Sequence, residues 1–202
     1  SKEEEVTMKL YLSTAPHIRS GANTQVLMRD VLIALLPTTA AGIYYFGLSA
    51  AMVIAVSILS CVLFEYLWQR ITKQPIRIYD LSAAVTGLIL GLNLPSTAAW
   101  WMPVVGALFA IVITKQLFGG IGDNFLNPAL LARAVLLASW PARMTGATAY
   151  ALPTCWSGAD AVTSATPLAG YEASTMDLFL GNIPGSIGEV CKAAILLGLI
   201  YL

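Results

Sequence analysis

Between residues 31 and 68 the chain carries a single charged side chain, Glu65. A helix that lies on a soluble core needs a polar face along its whole length, and this run has none. Gly47 and Leu48 divide it into two apolar segments, 31–46 and 49–68. Further apolar segments follow at 81–94, 100–118 and 129–140, and another opens near Ile187. Charged residues make up 11% of the whole chain, against roughly a quarter in soluble domains. Too little charge is present to cover a water-facing surface. The mean hydropathy of +0.75 agrees, and the class is an all-α polytopic membrane protein.

The segments divide the chain into a polar N-terminal arm (1–29), a five-helix transmembrane region (30–140), a long polar loop (141–185) and the start of a sixth membrane helix (186–202). A hydrocarbon core about 30 Å thick needs about 20 helical residues. Segments 81–94 and 129–140 fall short of that, as broken helices beside a cavity do; uncertain segment ends would give the same picture. Orientation follows from the placement of Lys and Arg. With the N-terminus inside, Lys2, Lys9, Arg19, Arg29, Arg70, Lys73, Arg77 and Lys115 all lie on the inner side, out of 11 basic residues in the chain. The outer loops hold only Arg143. Trp68 then marks the inner interface, and Trp100, Trp101 and Trp140 mark the outer one. The final apolar run ends without flanking charge, so the chain is expected to be part of a longer one.

The 141–185 loop contains Asp160-Ala161-Val162-Thr163-Ser164-Ala165-Thr166. This Asp-x-x-Ser/Thr-x-Ala-Thr pattern resembles the sequence at which a flavin transferase joins FMN, through its phosphate, to the last threonine hydroxyl. Such an enzyme needs an accessible hydroxyl among small neighbours, which Ser164 and Ala165 provide. Thr166-Pro167 also reads as an ordinary helix start, with threonine as cap and proline at the first helical position. Thr148 ends a similar Ala-Thr pair, but the residue six before it is Ala142 and not an aspartate, so Thr148 is expected to stay bare.

Four longer stretches carry a wider resemblance: Ala15-Pro-His-Ile-Arg-Ser-Gly21, Met28-Arg-Asp-Val-Leu-Ile-Ala-Leu-Leu-Pro37, Gly119-Gly-Ile-Gly-Asp-Asn-Phe-Leu-Asn-Pro-Ala-Leu-Leu-Ala-Arg-Ala134 and Gly181-Asn-Ile-Pro-Gly-Ser-Ile-Gly-Glu189. Together they resemble, in order and over nearly the whole chain, the RnfD component of the Rnf ion-translocating electron-transport complex. That component is similar to the NqrB component of the sodium-translocating NADH:quinone oxidoreductase. The resemblance implies two inverted five-helix repeats similar to urea transporters, with this chain holding the first repeat and the start of the second. It implies an inner-membrane protein that works with the other Rnf subunits. The complex exchanges electrons between ferredoxin and NAD, coupled to sodium or proton movement. It also implies covalent FMN on Thr166, within a recognition site that includes Asp160, Ser164 and Ala165, and a non-covalent riboflavin in contact with Asn124 and Asn127. Ala161 departs mildly from a glycine found in some members.

Other residues read two ways. Asn127-Pro128 is equally a helix start, and Gly119, Gly120 and Gly122 are equally a tight turn. Arg133 in an apolar segment needs a partner: Glu65, Asp80, Asp123, a flavin or a phosphate. Glu65 reads as a carboxylate snorkelling to the interface or as part of an ion path, and Asp80 as a helix cap. Cys61, Cys155 and Cys191 lack metal-site spacing, so no metal is expected. Net charge is zero and no basic run carries interleaved aromatics, which argues against nucleic acid. Membrane lipid and the flavin transferase are the remaining expected partners. No residue is expected to turn over substrate in the chain alone. The rival readings are a component of a quinone-reducing sodium pump and a urea-transporter-like channel without flavin.

Overall fold

The computed structural model describes residues 23–145, 149–151, 153, 166 and 174–202. The first helix, α1 (Thr24–Ile71), has 48 residues. At 1.5 Å per residue that is about 72 Å, more than two hydrocarbon thicknesses, so the rod has to break. It breaks at Gly47, whose φ of 68° and ψ of −148° fall in a region open almost only to glycine. The break lies where the sequence places the boundary between its first two segments.

After a 3₁₀ turn (Ile78–Asp80) comes α2 (Ser82–Leu92). Asp80 Oδ1 accepts from the backbone N–H of Ser82 at 3.0 Å and from its hydroxyl, but it stands one residue before the N-cap position expected of it, which Leu81 takes. Small residues let α2 lie close on the second arm of α1. A β-carbon added at Gly87 would stand 2.7 Å from Ile58 Cα, and one at Gly91 would stand 3.0 Å from Ile54 Cα. Ser57 Oγ donates to the Gly87 carbonyl at 2.8 Å, so a buried hydroxyl ties the two helices. Ridges of small residues are how helices associate where lipid removes the usual hydrophobic drive.

The next rod starts as α3 (Trp101–Leu108) and continues as a π-helical stretch over Phe109–Gln116. It is followed by α4 (Pro128–Ser139) and the short α5 (Pro141–Met144). Beyond the long loop lie α6 (Thr175–Leu180) and α7 (Lys192–Tyr201). The core has two parts. One gathers Phe46, Val53, Leu88, Leu92, Met102, Leu136, Ile183 and Ile187; the other packs Cys61, Leu90, Ala107, Ile111 and Ala132. Cys61 is fully buried among them.

The sixth membrane segment starts later than its hydropathy suggests. Residues 183–187 are buried yet not helical. Ile187 N–H donates to the Leu94 carbonyl at 3.1 Å, Gly188 N–H donates to the Leu92 carbonyl at 2.8 Å, and Ser186 pairs with Pro95 in an isolated antiparallel bridge. This extended peptide satisfies backbone groups just past the end of α2, and α7 can begin only at Lys192. Irregular backbone at membrane depth is tolerated where protein buries it in this way. The short α2 is thus a helix that ends early against an extended partner.

Candidate functional site

Thr166, the last residue of the motif, is half-buried. It lines a cavity of about 380 Å³ with Arg133, Tyr150, Gly185, Glu189 and Lys192. The volume lies in the range of small-molecule sites. The walls come from α4, from the buried extended peptide and from the first residue of α7, so residues far apart in sequence meet here. Asp160, Ser164 and Ala165, along with Thr148, lie outside the described residues.

Arg133 pairs with none of Glu65, Asp80 or Asp123. Its Nη1 donates to Asn93 Oδ1 at 3.0 Å, just past the end of α2. The reason is distance along the fold: Glu65 and Asp80 are engaged at the far ends of α1 and α2, and Arg133 sits about 9 Å up α4 from Asn127. Lys192, which sequence reasoning passed over, makes one long hydrogen bond, to the Val190 carbonyl at 3.5 Å. Glu189 bonds instead to the Ser186 hydroxyl at 3.1 Å. No signal in the local sequence marks Lys192, because it becomes relevant only when the peptide before α7 folds back on α2.

A second polar centre lies at the other end of the helices. Glu65 is 2% exposed and does not snorkel to the interface. Lys115 Nζ donates to both of its carboxylate oxygens at 2.8 Å, and Gln116 and Gln69 donate to Oε1 at 3.1 and 3.3 Å. The Ser82 hydroxyl accepts a further bond from Lys115. An ammonium within reach explains why a buried carboxylate is tolerated, and the π-helical stretch places Lys115 and Gln116 to serve it. These groups line a polar cavity of about 350 Å³ together with Arg77, Asp80, Gly119 and Asp123.

The glycine-rich loop runs from this centre to α4. Gly119, Gly120 and Gly122 all have φ near +100° (109°, 103° and 95°), which makes them a turn that other residues would strain. Asn127 caps α4: its Oδ1 accepts from the N–H groups of Ala129 (3.0 Å) and Leu130 (3.4 Å). Only its amide NH₂ is left for a ligand. Asn124 differs. Its Oδ1 is buried and has no hydrogen-bond partner, alone among the described side chains. A buried acceptor left open calls for a donor, and the ring N–H of a flavin is one that fits.

Broken helices, a buried extended peptide and two separate cavities fit an all-helical membrane protein. The chain belongs to the NQR2, RnfD, RnfE family, whose model matches residues 11–202. It is 48% identical to the D component of the Na⁺-translocating ferredoxin:NAD⁺ oxidoreductase complex of Acetobacterium woodii, covering 96% of this chain and 62% of that protein. Identity is 37% to the D component of the proton-translocating ferredoxin:NAD⁺ oxidoreductase complex of Clostridium ljungdahlii, over 95% of this chain and 61% of that one. It is 39% to the D component of the ion-translocating oxidoreductase complex of Aliivibrio salmonicida, over 68% and 40%. The chain therefore spans about three fifths of the length of the first two relatives.

Proposed function

We propose that this chain is the flavin-carrying membrane part of an ion-translocating ferredoxin:NAD oxidoreductase complex, with FMN held as a phosphoester on Thr166 and a riboflavin held at Asn124. The observation that carries this reading is the placement of the motif threonine. Thr166 lines a cavity of about 380 Å³ together with Arg133 and Lys192. Its relatives are named as subunits of ferredoxin:NAD oxidoreductase complexes. Bound flavin supplies one- and two-electron transfer, which polypeptide side chains do not.

The chain's own residues do the holding. Thr166 Oγ anchors the phosphate, so the cofactor does not dissociate. Asn124 Oδ1 accepts from the second flavin, and the glycines of the 119–122 turn let backbone approach it closely. α4 joins the two levels, with Asn127 at its start and Arg133 about 9 Å along it, which keeps the sites at a set separation. The short α2 and the extended peptide suit the first of two inverted repeats, the architecture we propose for the complete protein. One relative is named for sodium and another for protons, so the family alone does not specify the ion.

The test is in-gel fluorescence. The full-length protein, made in cells that express the transferase, is denatured and run on a gel. A flavin-fluorescent band is expected, lost in Thr166→Ala and kept in Thr148→Ala. A dark wild-type band, or fluorescence that survives Thr166→Ala, sinks the assignment.

A further inference from the structure

Arg133 is a cation on an apolar helix. Arg133 itself is half-buried, and a charge in an apolar membrane segment is as a rule paired or functional. A guanidinium has five N–H donors, yet the structure gives it one bond, to a neutral amide. Lys192 has three donors and one long bond to a carbonyl. Neither forms an ion pair: among the described residues the only ion pairs are Arg29–Asp30 and Lys115–Glu65. Both cations line the cavity that Thr166 faces.

The charge accounting is specific. Among the described residues of the cavity, two cations stand against one carboxylate, Glu189, which is turned to Ser186. Among those described residues one positive charge is left over. A phosphate esterified on two sides carries one negative charge, whereas a free phosphate monoester carries close to two. We infer that Arg133 and Lys192 clamp the phosphodiester that links the flavin to Thr166, fixing the direction in which the cofactor leaves its anchor. Arg133 supplies a planar fork matched to phosphate oxygens, and Lys192 supplies a point charge. A single bond at Thr166 leaves the flavin free to swing; two charge-assisted contacts on its phosphate remove that freedom. Arg133 and Lys192 are thus positioning residues, and their effect reaches the cofactor through the phosphate.

This inference rests on flavin attachment at Thr166, and its test is separable from that reading. The measurement is time-resolved fluorescence anisotropy of the attached flavin in the intact purified complex, for wild type, Lys192→Met, Arg133→Met and Lys192→Arg. In-gel fluorescence first establishes attachment; a dark wild-type band overturns the attachment reading and with it this one. With attachment present, wild type is expected to show only the slow decay of the whole complex. Lys192→Met and Arg133→Met should add a fast decay on the order of nanoseconds, the scale of a free side chain or loop. Lys192→Arg should restore the slow decay. If Arg133→Met does not assemble, the Lys192 pair of variants decides alone.

A loaded Lys192→Met complex with an unchanged decay overturns the clamp. A lipid phosphate is the other source of the same chemistry. Native mass spectrometry of the wild-type complex distinguishes it: a phospholipid retained by wild type and lost in Lys192→Met assigns the cations to lipid and likewise overturns the clamp.

Discussion

At the residue scale, Glu65 and Lys115 form a buried ion pair. Their side chains are 2% and 4% exposed. Removing one partner of such a pair strands a buried charge, at about 3–5 kcal/mol, whereas replacing both with neutral side chains is often tolerated. Lys115→Met should therefore lower the thermal unfolding temperature of the full-length protein in detergent, and Glu65→Gln combined with Lys115→Met should recover most of the loss. If the double variant is no more stable than Lys115→Met, the pair is not what holds this end of the helices together. The sequence shows Glu65 only as one charge in an apolar run. That its partner comes from Lys115 on another helix follows from packing, and the separation of 50 residues leaves no local pattern to read.

Glycine acts in two ways at the scale of elements, and the two predict different responses to mutation. At Gly47 the backbone conformation is the requirement, and an added β-carbon there would meet nothing within 4 Å. Gly47→Ala should cost about 1–3 kcal/mol of stability from strain alone, and Gly47→Leu about the same. At Gly87 the backbone is helical and space is the requirement. There the cost should grow with size, from Gly87→Ala to Gly87→Leu, as overpacking at an interface does. Denaturant or thermal unfolding of the four variants checks this, and a size-dependent loss at Gly47 would contradict it. Most element positions were legible from hydropathy: the segments at 81–94, 100–118 and 129–140 match α2, the α3–π rod and α4 to within two residues. The segment near Ile187 was not, because hydropathy reports burial and is blind to whether a buried peptide is helical or paired with Leu92 and Leu94.

At the scale of the whole molecule, the described structure separates two ends. Trp101 and Trp140 meet edge to face at 5.0 Å, with Arg143 over Trp101. The Glu65 centre, with Gln69, Arg77 and Asp80, gathers around the opposite ends of α1 and the π-helical stretch. With the basic 69–79 loop inside, Thr72 and Ser174, both exposed, should lie on opposite sides of the membrane. With Cys155 of the same outer loop replaced by serine, a membrane-impermeant maleimide added to intact cells should label Ser174→Cys and spare Thr72→Cys; the reverse pattern would overturn the orientation. The sequence by itself determined the class, the family and most of the helical segments, and it singles out Thr166 as the candidate attachment residue. Each of these is written in local composition or in short strings whose chemistry does not depend on distant residues. Only the tertiary structure decided that Arg133 has no carboxylate partner among the described residues, that Lys192 joins it beside Thr166, that Asn127 is occupied as a cap while Asn124 keeps a buried acceptor open, and that Glu65 is paired. Those facts depend on which helices lie side by side, and side-chain partners drawn from different helices leave no periodic trace along the chain.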